Sequence, residues 1–213
     1  GYTSKAKHMA GFVNKFYSLG YNVLAADARA HGDSEGTKIG MGWPERFDVI
    51  EWIKLIISWD SNAQIILHGV SMGAATVLMA SGEELPENVK VIIADCGYTS
   101  EWDEFKCEAN ALHIPWFPVL NAASVLSRLR DGYDFKQASA LEKVKQSRIP
   151  TLFIHGSDDE LVPYSMLDKL YSAAACEKEC LTVNGAGHAL SSSVEPELYW
   201  NTVESFIDKY LEK

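Results

Sequence analysis

The stretch Gln64-Ile-Ile-Leu-His-Gly-Val-Ser-Met-Gly-Ala-Ala-Thr-Val-Leu-Met-Ala80 decides the fold. Gln64 to His68 is a short apolar run suited to a buried strand, and Ala74 to Ser81 continues as a helix rich in small residues. Between them, Gly69-Val70-Ser71-Met72-Gly73 reads G-x-S-x-G, a serine on a sharp strand-to-helix turn. Such a turn holds its serine in strained dihedrals, and bulky residues two positions to either side would collide, which accounts for both glycines. It would lift the Ser71 hydroxyl above the carboxyl edge of a parallel sheet, where open α/β sheets bind ligands. It would also aim the first free amides of the following helix at any oxygen seated over Ser71. The plain alternative is a glycine turn that merely joins strand to helix, with Ser71 as N-cap.

Working outward, helix and strand signals alternate. Lys5 to Leu19 carries Met9, Phe12, Val13 and Phe16 at helical spacing and stops at Gly20. Tyr21 to Ala26 reads as a short strand, and Trp43 to Ser58 as an amphipathic helix. Further strands are expected at Val89 to Ala94, Thr151 to His155 and Leu181 to Val183, and a closing helix from Leu198 to Leu211. Buried strands separated by helices imply parallel pairing with helical crossovers, hence an α/β sheet covered on both faces. From Ser100 to Arg148 no strand is evident. Aromatics and prolines (Ile114-Pro-Trp-Phe-Pro118) and a helix-like run from Asn121 to Arg130 mark an insertion over the sheet, not a second domain.

Composition sets the class. The chain has 213 residues, 47% of them apolar and 23% charged, which suits one soluble globular domain. Its net charge of −10 repels phosphate backbones, so nucleic acid is excluded as a natural ligand. No apolar run is long enough for a membrane-spanning helix. Cys96, Cys107, Cys176 and Cys180 form no CxxC pair and no zinc-ligand spacing, so reduced thiols in a cytoplasmic setting are expected. The chain opens Gly1-Tyr2-Thr3-Ser4 without an initiator Met, and the expectation is that N-terminal sequence is missing.

A neutral serine hydroxyl needs a base to take its proton and a carboxylate to orient that base. In this strand–turn–helix context the partners follow in the order serine, acid, histidine. His188 lies in Gly185-Ala-Gly-His-Ala189, a glycine loop directly after the last strand, and is the expected base. The acid should come from the loop after the preceding strand, where Asp158 and Asp159 stand side by side. Adjacent side chains point different ways, and the residues alone do not choose between them.

With these residues in order, the chain resembles serine hydrolases of the α/β-hydrolase superfamily, in the bacterial branch labelled serine aminopeptidase, monoglyceride-lipase-like or prolyl-oligopeptidase-like. Asp27-Ala-Arg-Ala-His-Gly-Asp-Ser34 is similar to that branch's D-x-R-G-H-G-x-S, with Ala30 in place of a glycine. His155-Gly-Ser-Asp-Asp-Glu-Leu-Val-Pro163 is similar to H-G-x-x-D-x-x-V-P, which implies Asp159 as the triad acid, and Gly185-Ala-Gly-His188 to G-x-G-H. The branch opens its catalytic half with His-Gly-aromatic. Of this Gly1-Tyr2 is present, implying the Tyr2 backbone N–H as one arm of an oxyanion hole and the Met72 N–H as the other. The resemblance implies one α/β-hydrolase domain over 1–213, N-terminally incomplete, with a helical lid at about 101–147. It implies a small acyl ester as substrate and neither metal nor organic cofactor. It also allows a hydrophobic anchor upstream of this chain and leaves oligomeric state open.

Trp102, Phe105, Trp116 and Phe117 are candidates to line an apolar acyl pocket, or alternatively to form the insertion's own small core. Two rival functions stand beside ester hydrolysis. An aminopeptidase or amidase would need a carboxylate near the lid, for which Glu101, Asp103, Glu104 and Glu108 are available. A non-catalytic binding module would keep the fold without turnover.

Overall fold

The computed structural model describes residues 1–212. After a 3-10 turn (Ala6–Met9), the elements run α1 (Ala10–Ser18), α2 (Glu45–Trp59), β1 (Ile65–Val70), α3 (Met72–Ala80) and β2 (Val89–Asp95). Then follow α4 (Glu101–Ala111), α5 (Trp116–Asp131), α6 (Ala140–Val144), β3 (Thr151–Gly156), α7 (Ser165–Ala173), β4 (Lys178–Val183), α8 (Ser191–Val194) and α9 (Pro196–Ile207). The four strands lie side by side in chain order and every pair is parallel. Their register matches Val70 with Asp95, Asp95 with Ile154, and Gly156 with Val183. The loops that follow Val70, Asp95, Gly156 and Val183 therefore emerge along one edge.

Alternation along the strands builds two cores. Val91, Ile93, Leu152, Ile154 and Val183 pack with Phe16 and with Tyr199, Val203 and Phe206 of α9. Ile92, Ala94 and Phe153 face the other way, onto Leu78 and Met79 of α3 and Leu170 of α7. Both faces are covered, which is why these strands read as unbroken apolar runs. Small residues let α3 lie directly on the sheet: Ala74 and Ala75 are wholly buried.

The structure departs from the expected elements at several points. Tyr21–Ala26 joins no ladder: among the described residues β1 has a partner on its β2 side only, and Val23 and Leu24 are each 38% exposed. Helices α4 and α7 were not resolved by periodicity. Helix α4 has an N-cap at Ser100, whose side chain accepts from the Asp103 N–H, and three acids in its first turn, where helix-terminal N–H groups favour negative charge. The segment between β2 and β3 leaves and returns through one antiparallel bridge between Ser100 and Ser139. Two further bonds reinforce it, Glu101 N–H to Ala138 O and Leu141 N–H to Thr99 O, both 2.9 Å. Among the described residues no helix is long and apolar enough to cross a membrane.

Helix α4 buries two carboxyl groups. Glu101 and Glu104 are 3% and 6% exposed, and Oε2 of each lacks a hydrogen-bond partner among the described residues. Burial pushes both up to about 8, with the charges of Glu45 and Asp131 adding for Glu101 and those of Glu108 and Asp159 for Glu104. Both are raised above their unfolded value, so the native state binds more protons and stability falls as pH rises from about 4.5 through 8. Denaturant unfolding should register a declining free energy across that range, and Glu101→Gln or Glu104→Gln should each flatten the decline. An unchanged slope in both variants would contradict this account.

Candidate functional site

At the end of β1 the chain makes its sharpest turn. Ser71 sits at φ 57, ψ −122, a left-handed conformation that costs a non-glycine residue about 1–3 kcal/mol. The turn is held by the Ser71 N–H donating to Asp95 O at 2.8 Å and by Ala75 N–H donating to Ser71 O at 3.0 Å. A Cβ at Gly69 would lie 2.2 Å from the Gly73 carbonyl oxygen, so strand and helix cross where Gly69 has no side chain. The two glycines are not equivalent, contrary to the steric expectation from sequence. A Cβ at Gly73 would meet only the Gly1 nitrogen, at 3.9 Å.

The loops after β3 and β4 are stitched together. Asp158 N–H donates to Ala186 O (3.0 Å), Ser157 N–H to Val183 O (3.0 Å) and Gly185 N–H to the Ser157 Oγ (2.8 Å). A Cβ at Gly156 would sit 2.1 Å from Ala186 O, so this contact too needs a glycine. The stitching separates the two aspartates. Asp158 turns outward and accepts from Ser157 Oγ, while Asp159 turns in.

Three distant side chains then meet. His188 Nδ1 is 2.8 Å from Asp159 Oδ2, and His188 Nε2 is 2.8 Å from Ser71 Oγ. With Asp159 ionised, Nδ1–H donates to the carboxylate, which leaves Nε2 to accept the Ser71 hydroxyl. Asp159 Oδ1 accepts the backbone N–H of Leu161 and Val162, and Oδ2 also lies 3.3 Å from His155 Nε2. Burial opposes its charge, but hydrogen bonds from His155 and His188, the imidazole field and the Val162 N–H outweigh burial and hold Asp159 far below the ordinary carboxylate range. His155, passed over in the sequence, donates from Nε2 to Val162 O at 2.9 Å and so fixes the acid's loop.

The N-terminal turn lies beside Ser71. A Cβ on Gly1 would be 3.8 Å from the Ser71 Cβ. Ser4 N–H donates to Gly1 O (3.1 Å), and Thr3, at φ 56, donates its N–H to His31 Nε2 (3.0 Å). His31 Nδ1 faces the Arg29 carbonyl at 2.8 Å, which can only accept, so Nδ1 carries the proton and Nε2 is the acceptor. Asp27 ties the same loop, accepting from Ala6 N–H and Asp33 N–H. Within this turn the Tyr2 N–H makes no hydrogen bond to any described residue.

The prolyl oligopeptidase family model matches residues 13–213. The chain belongs to that family. It is 30% identical to the uncharacterized protein YqkD of Bacillus subtilis over 98% of this chain and 69% of that one. It is also 30% identical to the lysophosphatidylserine lipase ABHD12 of Macaca fascicularis over 81% of this chain, which spans only 43% of that protein. Among solved structures, the Pyrococcus furiosus esterase Pf2001 superposes with TM-score 0.80 at 24% identity, covering all of this chain and 80% of that one. A Paleococcus ferrophilus monoacylglycerol lipase gives 0.67 at 17% identity, covering 97% of this chain and 91% of that one. The protein is a hydrolase of the α/β-hydrolase superfamily.

Two buried features lie beside the elbow of this prolyl oligopeptidase-family site. Asp95, beneath the elbow, accepts from Tyr199 OH at 3.1 Å, and Tyr199 OH lies 3.2 Å from His68 Nε2. Burial pushes Asp95 up to about 6 despite the Tyr199 bond, and pushes His68 down to about 4. Cys96, at φ 49, places its sulfur with Asp159 and His188 so that three potential metal-ligand atoms lie within 4.8 Å. Burial and the Asp95 and Asp159 charges push this thiol up, so it stays protonated, and the other two groups already bond to each other.

The four aromatics of the insertion gather among themselves and their neighbours. Trp102 meets Trp116 edge-on at 6.4 Å, Trp116 meets Phe117 at 6.2 Å, and Phe105 meets Phe135 at 4.9 Å. Phe105 packs against the main core, whereas Phe117 is 66% exposed. The elbow geometry yields a test by unfolding. Gly69→Ala should cost about 1–3 kcal/mol through overpacking against backbone, while Gly73→Ala should fold with nearly native stability. Equal losses at both positions would contradict the asymmetry.

Proposed function

We propose that this protein cleaves carboxylic esters through an acyl-enzyme formed on Ser71. The observation that carries the reading is the continuous line from Asp159 through His188 to Ser71, with both heavy-atom separations at 2.8 Å. Ser71 Oγ bonds to the ester carbonyl carbon as its proton passes to His188 Nε2. The carbonyl π pair moves onto oxygen, and the N–H groups of Tyr2 and Met72 receive the resulting oxyanion. Collapse breaks the bond to the alkoxide, which leaves with the proton from His188. Water then repeats the sequence on the acyl-serine, giving a carboxylic acid and free Ser71. Asp159 stays ionised throughout and holds the imidazole in the tautomer this requires.

Ester rather than amide cleavage is favoured on two grounds. The ABHD12 relative is named a lysophosphatidylserine lipase. Of the four carboxylates an aminopeptidase would use to grip a substrate ammonium, Glu101 and Glu104 are buried with burial pushing both to about 8 and Asp103 is bonded to Thr99, which leaves Glu108 alone. The reading keeps the segment 101–147 as a lid on a single hydrolase domain.

A fluorophosphonate probe should label the chain, and Ser71→Ala should abolish labelling. With short p-nitrophenyl esters, Ser71→Ala and Asp159→Asn should each lower kcat by about 10⁴. Absence of any adduct on Ser71 would refute the proposal, and faster turnover of aminoacyl anilides than of esters would move it to amides.

The turn that carries Tyr2 depends on His31. His31→Ala should lower kcat by about 10–100-fold with KM little changed, within the range known for loss of one oxyanion donor. His31→Gln, whose amide oxygen can accept the Thr3 N–H, should recover most of the loss. Equal impairment of both variants would show His31 to be merely structural.

A further inference from the structure

Helix α5 is turned inside out. Its protein-facing residues are Leu120, Ser124 and Ser127, and the two serines bond to the chain beyond the helix: Ser124 Oγ accepts Phe135 N–H (3.1 Å) and Ser127 Oγ donates to Tyr133 O (3.0 Å). Phe117, Val119, Val125, Leu126 and Leu129 point outward and are 59–81% exposed. An open groove of about 460 Å³ runs along this side, and Leu112 and Ile114 on the preceding loop, 66% and 49% exposed, extend the apolar area. A surface helix of a soluble domain ordinarily shows the opposite arrangement.

Charge indicates what covers it. In a chain with 29 acidic residues, positions 109–130 contain no Asp or Glu. The last turn of the helix carries Arg128 and Arg130, 73% and 61% exposed, before the closing Asp131; Arg128 pairs loosely with Asp134 at 3.9 Å and Arg130 with Asp131 at 3.7 Å, while Asp131 is also held by Lys38. A second copy packed on this face would set these arginines against another stretch, 109–130, without Asp or Glu. An anionic lipid surface supplies what the helix lacks: acyl chains for the leucines and valines, and headgroup charge for the arginines.

We propose that α5 seats this protein on anionic lipid, lying in the plane of the interface rather than crossing it. The inference is independent of ester hydrolysis, and the test separates the two. Ser71→Ala protein, which cannot consume lipid, is sedimented with vesicles of equimolar phosphatidylcholine and phosphatidylglycerol, and with phosphatidylcholine alone. Binding to the mixed vesicles is expected, weakened by salt and about tenfold or more weaker on phosphatidylcholine alone, at roughly fivefold per arginine. Leu126→Asp/Leu129→Asp should reduce binding at least about a hundredfold. Arg128→Gln/Arg130→Gln should remove the preference for anionic vesicles. All these side chains are exposed, so the variants should melt like the parent, and in the Ser71 protein they should leave short-ester turnover unchanged.

Failure to sediment, or sedimentation indifferent to the leucine pair, overturns the proposal. A dimer in light scattering that the leucine variant dissociates also overturns it and assigns the face to a second copy.

Discussion

The site rests on two places where backbone passes backbone too closely for a side chain. At Gly69 the strand that delivers Ser71 crosses the start of α3, and at Gly156 the acid's strand meets the histidine loop at Ala186. A methyl group at either point would fall within 2.2 Å of a carbonyl oxygen. Parallel register supplies the rest, because it brings the ends of β1, β2, β3 and β4 to one edge. Hydroxyl, carboxylate and imidazole are thus placed by main-chain geometry, and their own hydrogen bonds only complete the alignment.

Four buried carboxyl groups, those of Asp95, Glu101, Glu104 and Asp159, fall into two kinds, and the number of donors around each separates them. Asp159 is met by two backbone N–H groups and two imidazoles, and it is held ionised. Asp95 has one phenol and an unpartnered Oδ1, and Glu101 and Glu104 each have an unpartnered Oε2; burial drives all three toward the neutral form. Desolvation acts on all four, and only Asp159 has enough hydrogen bonds to overcome it.

Much of this was legible in the sequence because the chemistry is bound to short motifs. The glycine-flanked serine and the glycine loop of His188 mark positions that few other residues could fill. The choice between Asp158 and Asp159 was not available from the residues themselves; it depends on how Ser157 and Asp158 are bonded to the neighbouring loop. His31 and His155 stand inside short motifs that do not state their contacts, with Thr3 and with Asp159 and Val162, and Asp95 acts through Tyr199 far along the chain. Tyr21–Ala26 has the composition of a strand, but composition cannot supply a hydrogen-bonding neighbour. Helix α5 misleads for a related reason. Periodicity finds an apolar face but does not say which way that face is turned, and here two short serines join Leu120 on the inner side while the other leucines face out.

The bridge between Ser100 and Ser139 makes the helical segment a loop with a narrow neck. Whatever happens beyond that neck, β2 and β3 are already in register, and Asp95 and Asp159 are anchored below it. Helices can therefore be lengthened, shortened or exchanged there without disturbing the hydroxyl–imidazole–carboxylate line. The geometry below the neck is thereby uncoupled from the shape and surface of the helices above it.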